Sequence, residues 1–235
     1  MSLILNIETS TELCSVCLAD KYTLLSKRNS FDEKSHASQL TIFIEEIFAE
    51  FKISVSDLSA IAVSQGPGSY TGLRIGVSTA KGIAYAADKP LIAVDSYNAM
   101  ANAVKQQIFN NKDFVSNYLL CPMIDAKRME VYTSLYNSDL ETIEKINAKI
   151  IDENSFTDLL SKQRIYFFGN GSDKFKNIIK SENAVFVENI FSYSEYMIQQ
   201  SYTAFQNQKF EDIAYFEPFY LKDFVASLPK KNILK

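Results

Sequence analysis

The sequence predicts an α/β protein built of two similar lobes, and three observations predict it. The chain has 235 residues, 47% of them hydrophobic and 22% charged, which is long for one core and fits two lobes of ~100–150 residues each. Its strand and helix patterns run in one order and then run through that order again. Five of its seven glycines crowd into one stretch, Ser64 to Ala86. We expect an N-terminal lobe over 1–108 and a smaller C-terminal lobe with a tail over 109–235.

LILNIETS, TELCSVCLA and YTLLSKRNS read as three strands joined by short polar turns, an antiparallel meander. From Ser38 to Phe51, Leu40, Phe43, Ile44, Ile47, Phe48 and Phe51 fall at helical spacing, with Glu45, Glu46 and Glu50 elsewhere on the surface. A turn at VSDLS leads to the buried-type strand SAIAVSQ. The glycine-rich stretch then runs from loop into helix and ends at Asp88-Lys89-Pro90. PLIAVD is a strand, and SYNAMANAVKQQI a helix capped by Asp95 or Ser96. FNNKDFVSN reads as a linker.

The pattern then restarts with strands YLLCPMIDA, MEVYTSLYN and KINAKII and the short helix SFTDLLSK. Strand RIYFFGNG, helix SDKFKNIIKS, strand AVFVE and helix SYSEYMIQQSYTAF complete it. The repeat lies in element order, not residue identity. A duplicated β-β-β-α-β-α unit is the plan of the actin-like and sugar-kinase superfold, two ribonuclease-H-like lobes facing a cleft. A fold alone does not give function.

Composition removes several classes. No apolar run reaches the ~18 residues that span a bilayer. The start MSLILNIETS lacks a basic segment and reaches Asn6 and Glu8 too early for a signal-peptide core, so a cytoplasmic protein is expected. Cys14 and Cys17 sit three apart in a strand and so point to opposite faces, with no further Cys or His cluster to complete a zinc site. A single histidine excludes chemistry that needs two imidazoles. The net charge of −4 works against independent nucleic-acid binding, and the four lysines from Lys222 onward read as a solvated tail.

Gly66, Gly68 and Gly72 follow a strand and open a helix, yet neither standard nucleotide motif is present. G-x-G-x-x-G requires its third glycine at Thr71, and a P-loop requires Gly-Lys-Ser/Thr where this chain has Gly72-Leu73-Arg74. Pro67 fixes φ, Gly66 and Gly68 admit conformations closed to other residues, and Ser69 or Thr71 can cap the helix. A capped turn and an anion seat on the helix N-terminus both fit. Within the helix, Gly72, Gly76, Ala80 and Ala84 recur every four residues, although glycine there costs ~1 kcal/mol. Such a stripe lets another backbone come closer than the usual ~8–10 Å, and that backbone belongs either to the protein's own sheet or to a second chain.

SQGPGSYTGLRIGVSTAKGIAYA resembles the signature of the TsaB (YeaZ) family. ILNIETST, KSHASQLTIFIEEI, IAVDSYNAMA, MIDAKRMEVYTSLY, FFGNGSDKF and EPFYLKDFVA resemble family segments in the same order. The resemblance implies an actin-like fold and a non-catalytic subunit. That subunit supports a TsaD-type enzyme, which transfers threonylcarbamoyl to the adenosine beside the anticodon of tRNA. A TsaE-type ATPase and the tRNA complete the system, and ATP or ADP and magnesium belong to the complex rather than to this chain. The resemblance also implies an interface on helices 36–51 and 71–87, serving a homodimer when the chain is alone and TsaD otherwise. Leu40, Phe43, Ile44, Ile47, Gly72, Gly76, Ala80 and Ala84 are therefore expected on a docking face. TsaD-like enzymes hold a metal through H-x-x-x-H, which is absent here. His36 reads as a polar helix-start residue, and neither a metal site nor a catalytic residue is expected. The competing expectation is an actin-like ATPase or kinase dependent on a magnesium nucleotide. In such proteins carboxylates and hydroxyls at the lobe turns surround phosphate and magnesium, which makes Glu8, Thr9, Ser10 and Asp125 candidates for a degenerate nucleotide site.

Overall fold

A computed structural model describes residues 1–32, 35–109 and 117–222. Most of the expected linker, and the tail lysines Lys230, Lys231 and Lys235, lie outside these residues.

The first sheet starts with β1 (Leu3–Glu8), β2 (Cys14–Asp20) and β3 (Thr23–Ser30), each antiparallel to the next. β1 and β2 are buried on both faces, which is why their sequences are near-continuous apolar runs. After α1 (Ser35–Phe51) come β4 (Ala60–Ser64), α2 (Tyr70–Ala87) and β5 (Leu91–Val94). β4 pairs parallel to β1 and β5 parallel to β4, giving the order β3-β2-β1-β4-β5. α3 (Ser96–Phe109) is capped by Asp95, whose Oδ1 accepts from the amides of Tyr97 at 2.9 Å and Asn98 at 3.2 Å.

The second sheet contains β6 (Tyr118–Asp125), β7 (Glu130–Asn137), β8 (Thr142–Ile150), β9 (Arg164–Phe168) and β10 (Ala184–Phe186), with α4 (Thr157–Leu160) between β8 and β9. Its order, β8-β7-β6-β9-β10, repeats the first sheet strand for strand. Two mixed sheets of this order are the two ribonuclease-H-like lobes of the actin-like superfold. The second lobe's helices are reduced. SDKFKNIIKS, expected as a helix, forms only a 3-10 turn at Asp173–Phe175, although Phe175 and Ile179 are buried as a helix would bury them. A ten-residue segment is below the ~12–15 residues at which helix formation sustains itself, so packing decides its shape. The last expected helix divides into a 3-10 turn at Ser194–Met197 and α5 (Ile198–Gln206).

Packing crosses the expected boundary at 108/109 twice. One face of the first sheet is covered by α1 and α2, through Leu40, Ile44, Ile47, Val77, Ala80 and Ala84. Its other face, including Ile4, Ala62, Ile92 and Val94, is covered by Met197 and by Tyr202 of α5. α3 instead lays Tyr97, Met100, Val104 and Ile108 against Tyr118, Leu120, Tyr136 and Phe168 of the second sheet. The helix that ends the first half thus serves the second sheet, and the helix near the C-terminus serves the first. Beyond α5 the chain returns along the first lobe as a strap. Ile213 and Phe216 pack on the α2 side, and Lys81 Nζ donates to the carbonyls of Ala214 at 3.3 Å and Phe216 at 3.0 Å. The Phe219 amide donates to the Gln65 carbonyl at 2.8 Å, and Lys222 then crosses to an ion pair with Glu130 of the second lobe. No helix among the described residues is long and apolar enough to cross a membrane.

Candidate functional site

A cavity of about 970 Å³ opens between the lobes, in the upper part of the size range of small-molecule sites. It is lined by the β1–β2 turn at Ser10–Glu12, the start of α2 at Gly68–Thr71, the β6–β7 turn at Asp125–Lys127, Tyr132, Asn170 and the strap from Phe219 to Lys222. Asn170 joins the two lobes at this cavity. Its Nδ2 donates to Glu12 Oε2 at 2.5 Å, and its Oδ1 accepts from the Asp125 amide at 3.1 Å.

Glu8, at the end of β1, is 1% exposed. Its Oε1 accepts from the Ser10 amide at 2.7 Å and its Oε2 from the Ser96 hydroxyl at 2.5 Å. Burial pushes this carboxyl above its usual pKa, against the pull of the Ser96 and Ser10 hydrogen bonds. Thr9 is fully buried, with its amide directed at Ser64 Oγ, 3.3 Å away. Ser10 accepts at its carbonyl from the Ser69 amide at 2.7 Å. Asp125 behaves differently. Burial pushes it up, but Lys174 Nζ at 2.5 Å and the Lys127 amide at 2.6 Å outweigh burial and hold it below the usual aspartate value. Of the four residues expected around a degenerate nucleotide site, only Ser10 and Asp125 line the cavity. Glu8 and Thr9 lie beneath the turn, which corrects the expectation of facing carboxylates: Ser96 and the Ser10 backbone have taken up Glu8. Ser96, Asn170 and Lys174 escape a reading of the sequence, because nothing local marks a serine, an asparagine or a lysine whose partner lies dozens of residues away.

Ser69 caps α2, its Oγ accepting from the Gly72 amide at 3.2 Å, so Thr71 is not the cap. Gly66, with φ +88°, turns the chain into this helix. The small-residue stripe has an intramolecular cause. A Cβ on Gly68 would stand 2.0 Å from the Ser10 carbonyl oxygen, on Gly72 2.2 Å from that of Thr9, and on Gly76 2.1 Å from Thr9 Oγ1. Ala80 and Ala84 are fully buried in the first core. On α1, Leu40, Ile44 and Ile47 are buried in the same core, and Phe43 packs partly buried against it. Seven of these eight residues are buried against the chain's own sheet or its β1–β2 turn, which corrects their expected place on a docking face, while Phe43 stays partly exposed. α2 must touch the backbone of the β1–β2 turn, and only glycine leaves room. The outward face of the two helices carries Gly82, where a Cβ would meet none of the described residues within 4 Å, together with exposed Tyr85 and Ile42.

His36 stands near the start of α1, half-buried, with Nε2 3.3 Å from the Leu13 carbonyl, and burial lowers its pKa. Cys14, Cys17 and Cys121 are buried free thiols pushed up to about 12 by burial. Among the described residues no group of three or more His, Cys, Asp or Glu is placed to hold a metal ion.

Residues 30–231 match the family model described as TsaD: tRNA N6-adenosine threonylcarbamoyltransferase. A tRNA threonylcarbamoyladenosine biosynthesis protein TsaB from Buchnera aphidicola subsp. Baizongia pistaciae is 31% identical over 227 residues, covering 94% of this chain and 98% of the relative. The protein of the same name from Bacillus subtilis is 33% identical over 143 residues, 61% of this chain. The match spans 58% of that relative's length. Among solved structures, YeaZ from Pseudomonas aeruginosa shares the fold, with a TM-score of 0.76 at 22% identity over 94% of this chain and 100% of that one.

Proposed function

The chain belongs to the TsaB (YeaZ) family, and from that premise we propose that it is a non-catalytic subunit of the system that makes threonylcarbamoyladenosine in tRNA. In this reading it supports a TsaD-type enzyme, in the cytoplasm. A TsaE-type ATPase and tRNA complete the assembly, and ATP or ADP and magnesium are bound there rather than by this chain alone. The observation that carries the non-catalytic half is Glu8. An actin-like ATPase needs a carboxylate that nucleotide-bound magnesium can reach, and both oxygens of Glu8 are engaged beneath the turn by Ser10 and Ser96.

Docking is proposed on the outward face of α1 and α2, around Gly82, Tyr85 and Ile42. A glycine in a helix interior costs up to ~1 kcal/mol, and Gly82 recovers none of it from the described residues, none of which comes within 4 Å of its Cβ position. Close approach by a TsaD-type subunit, or by a second copy in its absence, accounts for that residue. The test is genetic and biochemical together. In cells depleted of the native chain, Glu8→Gln should restore threonylcarbamoyladenosine in tRNA, measured by mass spectrometry. Gly82→Arg, folded by circular dichroism, should fail to restore it and fail to co-purify a TsaD-type subunit. A second reading, an ATPase or kinase, draws on Asp125, which does face the cavity. Hydrolysis of magnesium-ATP by the isolated chain, abolished in Glu8→Gln, would establish that reading in place of the first.

A further inference from the structure

The two central residues of the β6–β7 turn, Lys127 and Arg128, both have left-handed backbone, with φ +74° and +54°. Turns of this kind favour asparagine and glycine, and long side chains there are held under strain. The strain is supported by a built scaffold. Lys174 Nζ donates to Asp125 Oδ1 at 2.5 Å, to the Arg128 carbonyl at 2.8 Å and to the Glu130 carbonyl at 3.3 Å, while the same Asp125 oxygen accepts from the Lys127 amide. The turn presents two adjacent, exposed cations, and neither forms an ion pair among the described residues. Their neighbours Lys174 and Lys222 are both paired, to Asp125 and Glu130.

Lys127 lines the cavity, Arg128 stands next to it in the turn just outside the lining, and the cavity carries aromatic rings on both walls. Tyr220 of the strap lies with its ring centre 5.0 Å from that of Tyr70, and Tyr132 of β7 faces the cavity from the second lobe. We propose that the mouth of this cleft binds single-stranded RNA, with Lys127 at the mouth and Arg128 just outside it on successive phosphates and a base stacked on Tyr220, since Lys222 already lies over the Tyr132 ring. Cations alone would suit any anionic partner, but rings beside them favour a nucleic acid, because every base offers a face to stack. A duplex is too wide for a cavity of about 970 Å³, whereas an unpaired loop can splay a base into it. Asp32 and Glu12 on the lining wall oppose deeper entry of the backbone, and the net charge of −4, which works against nucleic-acid binding by the chain as a whole, confines contact to this local cationic turn. The choice of RNA over DNA rests on the proposed role in tRNA modification, and the rest of the inference does not.

The test uses the full chain and a fluorescein-labelled single-stranded RNA of about 12 nucleotides, read by anisotropy. Saturable binding is expected below about 1 mM at low salt, with an affinity that falls with salt at a log–log slope of about −1.4 for two phosphate contacts. Lys127→Ala/Arg128→Ala should weaken binding about tenfold or more and flatten that slope. Tyr220→Ala should weaken it several-fold at an unchanged slope. The pair Lys127→Gly/Arg128→Gly separates charge from architecture, since glycine suits this backbone: it should raise the melting temperature and still lose binding. Binding unaffected by the glycine pair, no saturation with the wild type, or equal affinity for an RNA duplex or for free AMP would each overturn the proposal. Loss of RNA binding by a variant that still restores tRNA modification in cells leaves the scaffold reading intact, so the two fail separately.

Discussion

The turn that follows β1 and the turn that follows β6 hold equivalent places in two sheets of identical order, yet one is largely buried and the other largely exposed. Over the first lies α2, an 18-residue helix pressed so close that Gly72 and Gly76 have no room for a side chain. Over the second stands only the 3-10 turn at Asp173–Phe175. The carboxylates follow their surroundings. Glu8 is driven above its usual pKa by burial, and Asp125 is held below its own by Lys174. Topology thus sets where a turn lies, and the length and residue size of the covering helix set whether it faces solvent.

The largest test of this contrast is Gly76→Leu, which drives a side chain into Thr9 and should cost about 3 kcal/mol in urea unfolding. An unchanged midpoint would mean that α2 does not rest on the β1–β2 turn. On the open side, Lys174→Met should cost about 1 kcal/mol, allowing for screening of a partly exposed pair. Because the Asp125 pKa is depressed in the folded chain, the stability due to this pair is present above the usual value near 3.8 and is lost as pH falls through the folded value. The difference between wild type and Lys174→Met should therefore close in acid. Glu8→Gln probes the opposite sign. The folded chain holds the Glu8 proton above the usual value near 4.5, so Glu8 takes away stability as pH rises from there through its folded pKa. Melting temperatures of Glu8→Gln should gain on the wild type as pH is raised across that window, and a constant gap would refute the buried carboxyl. The smallest effect belongs to the outward face of α2. Gly82→Ala should stabilise the isolated chain by about 0.5–1 kcal/mol, in contrast to the loss at Gly76 about 1.7 turns away.

Much of the fold is legible in the sequence because it depends on local periodicity. The meanders, the strand before the glycine loop, α1, α2 and α3 follow from spacing and punctuation, and a cap at Ser69 or Thr71 from residue type. The stripe at Gly72, Gly76, Ala80 and Ala84 is equally legible as a surface made for close approach. What it approaches is not, since the same small side chains suit a sheet of the same chain or a partner. The site shows the same division. Glu8 and Asp125 begin equivalent turns and look alike in sequence, but Ser96, Asn170 and Lys174, which make them different, lie 88, 45 and 49 residues from their partners.

By itself the sequence determined two lobes of like order, a capped glycine-rich entry into α2 and a family. Each of these rests on contacts between near neighbours or on motifs read along the chain. Only the tertiary structure decided that α3 serves the second sheet and α5 the first, that Glu8 is buried while Asp125 is open, and that the glycine stripe faces inward. Those outcomes depend on which apolar faces find each other across long separations and on what solvent each carboxylate retains, and no local pattern encodes either.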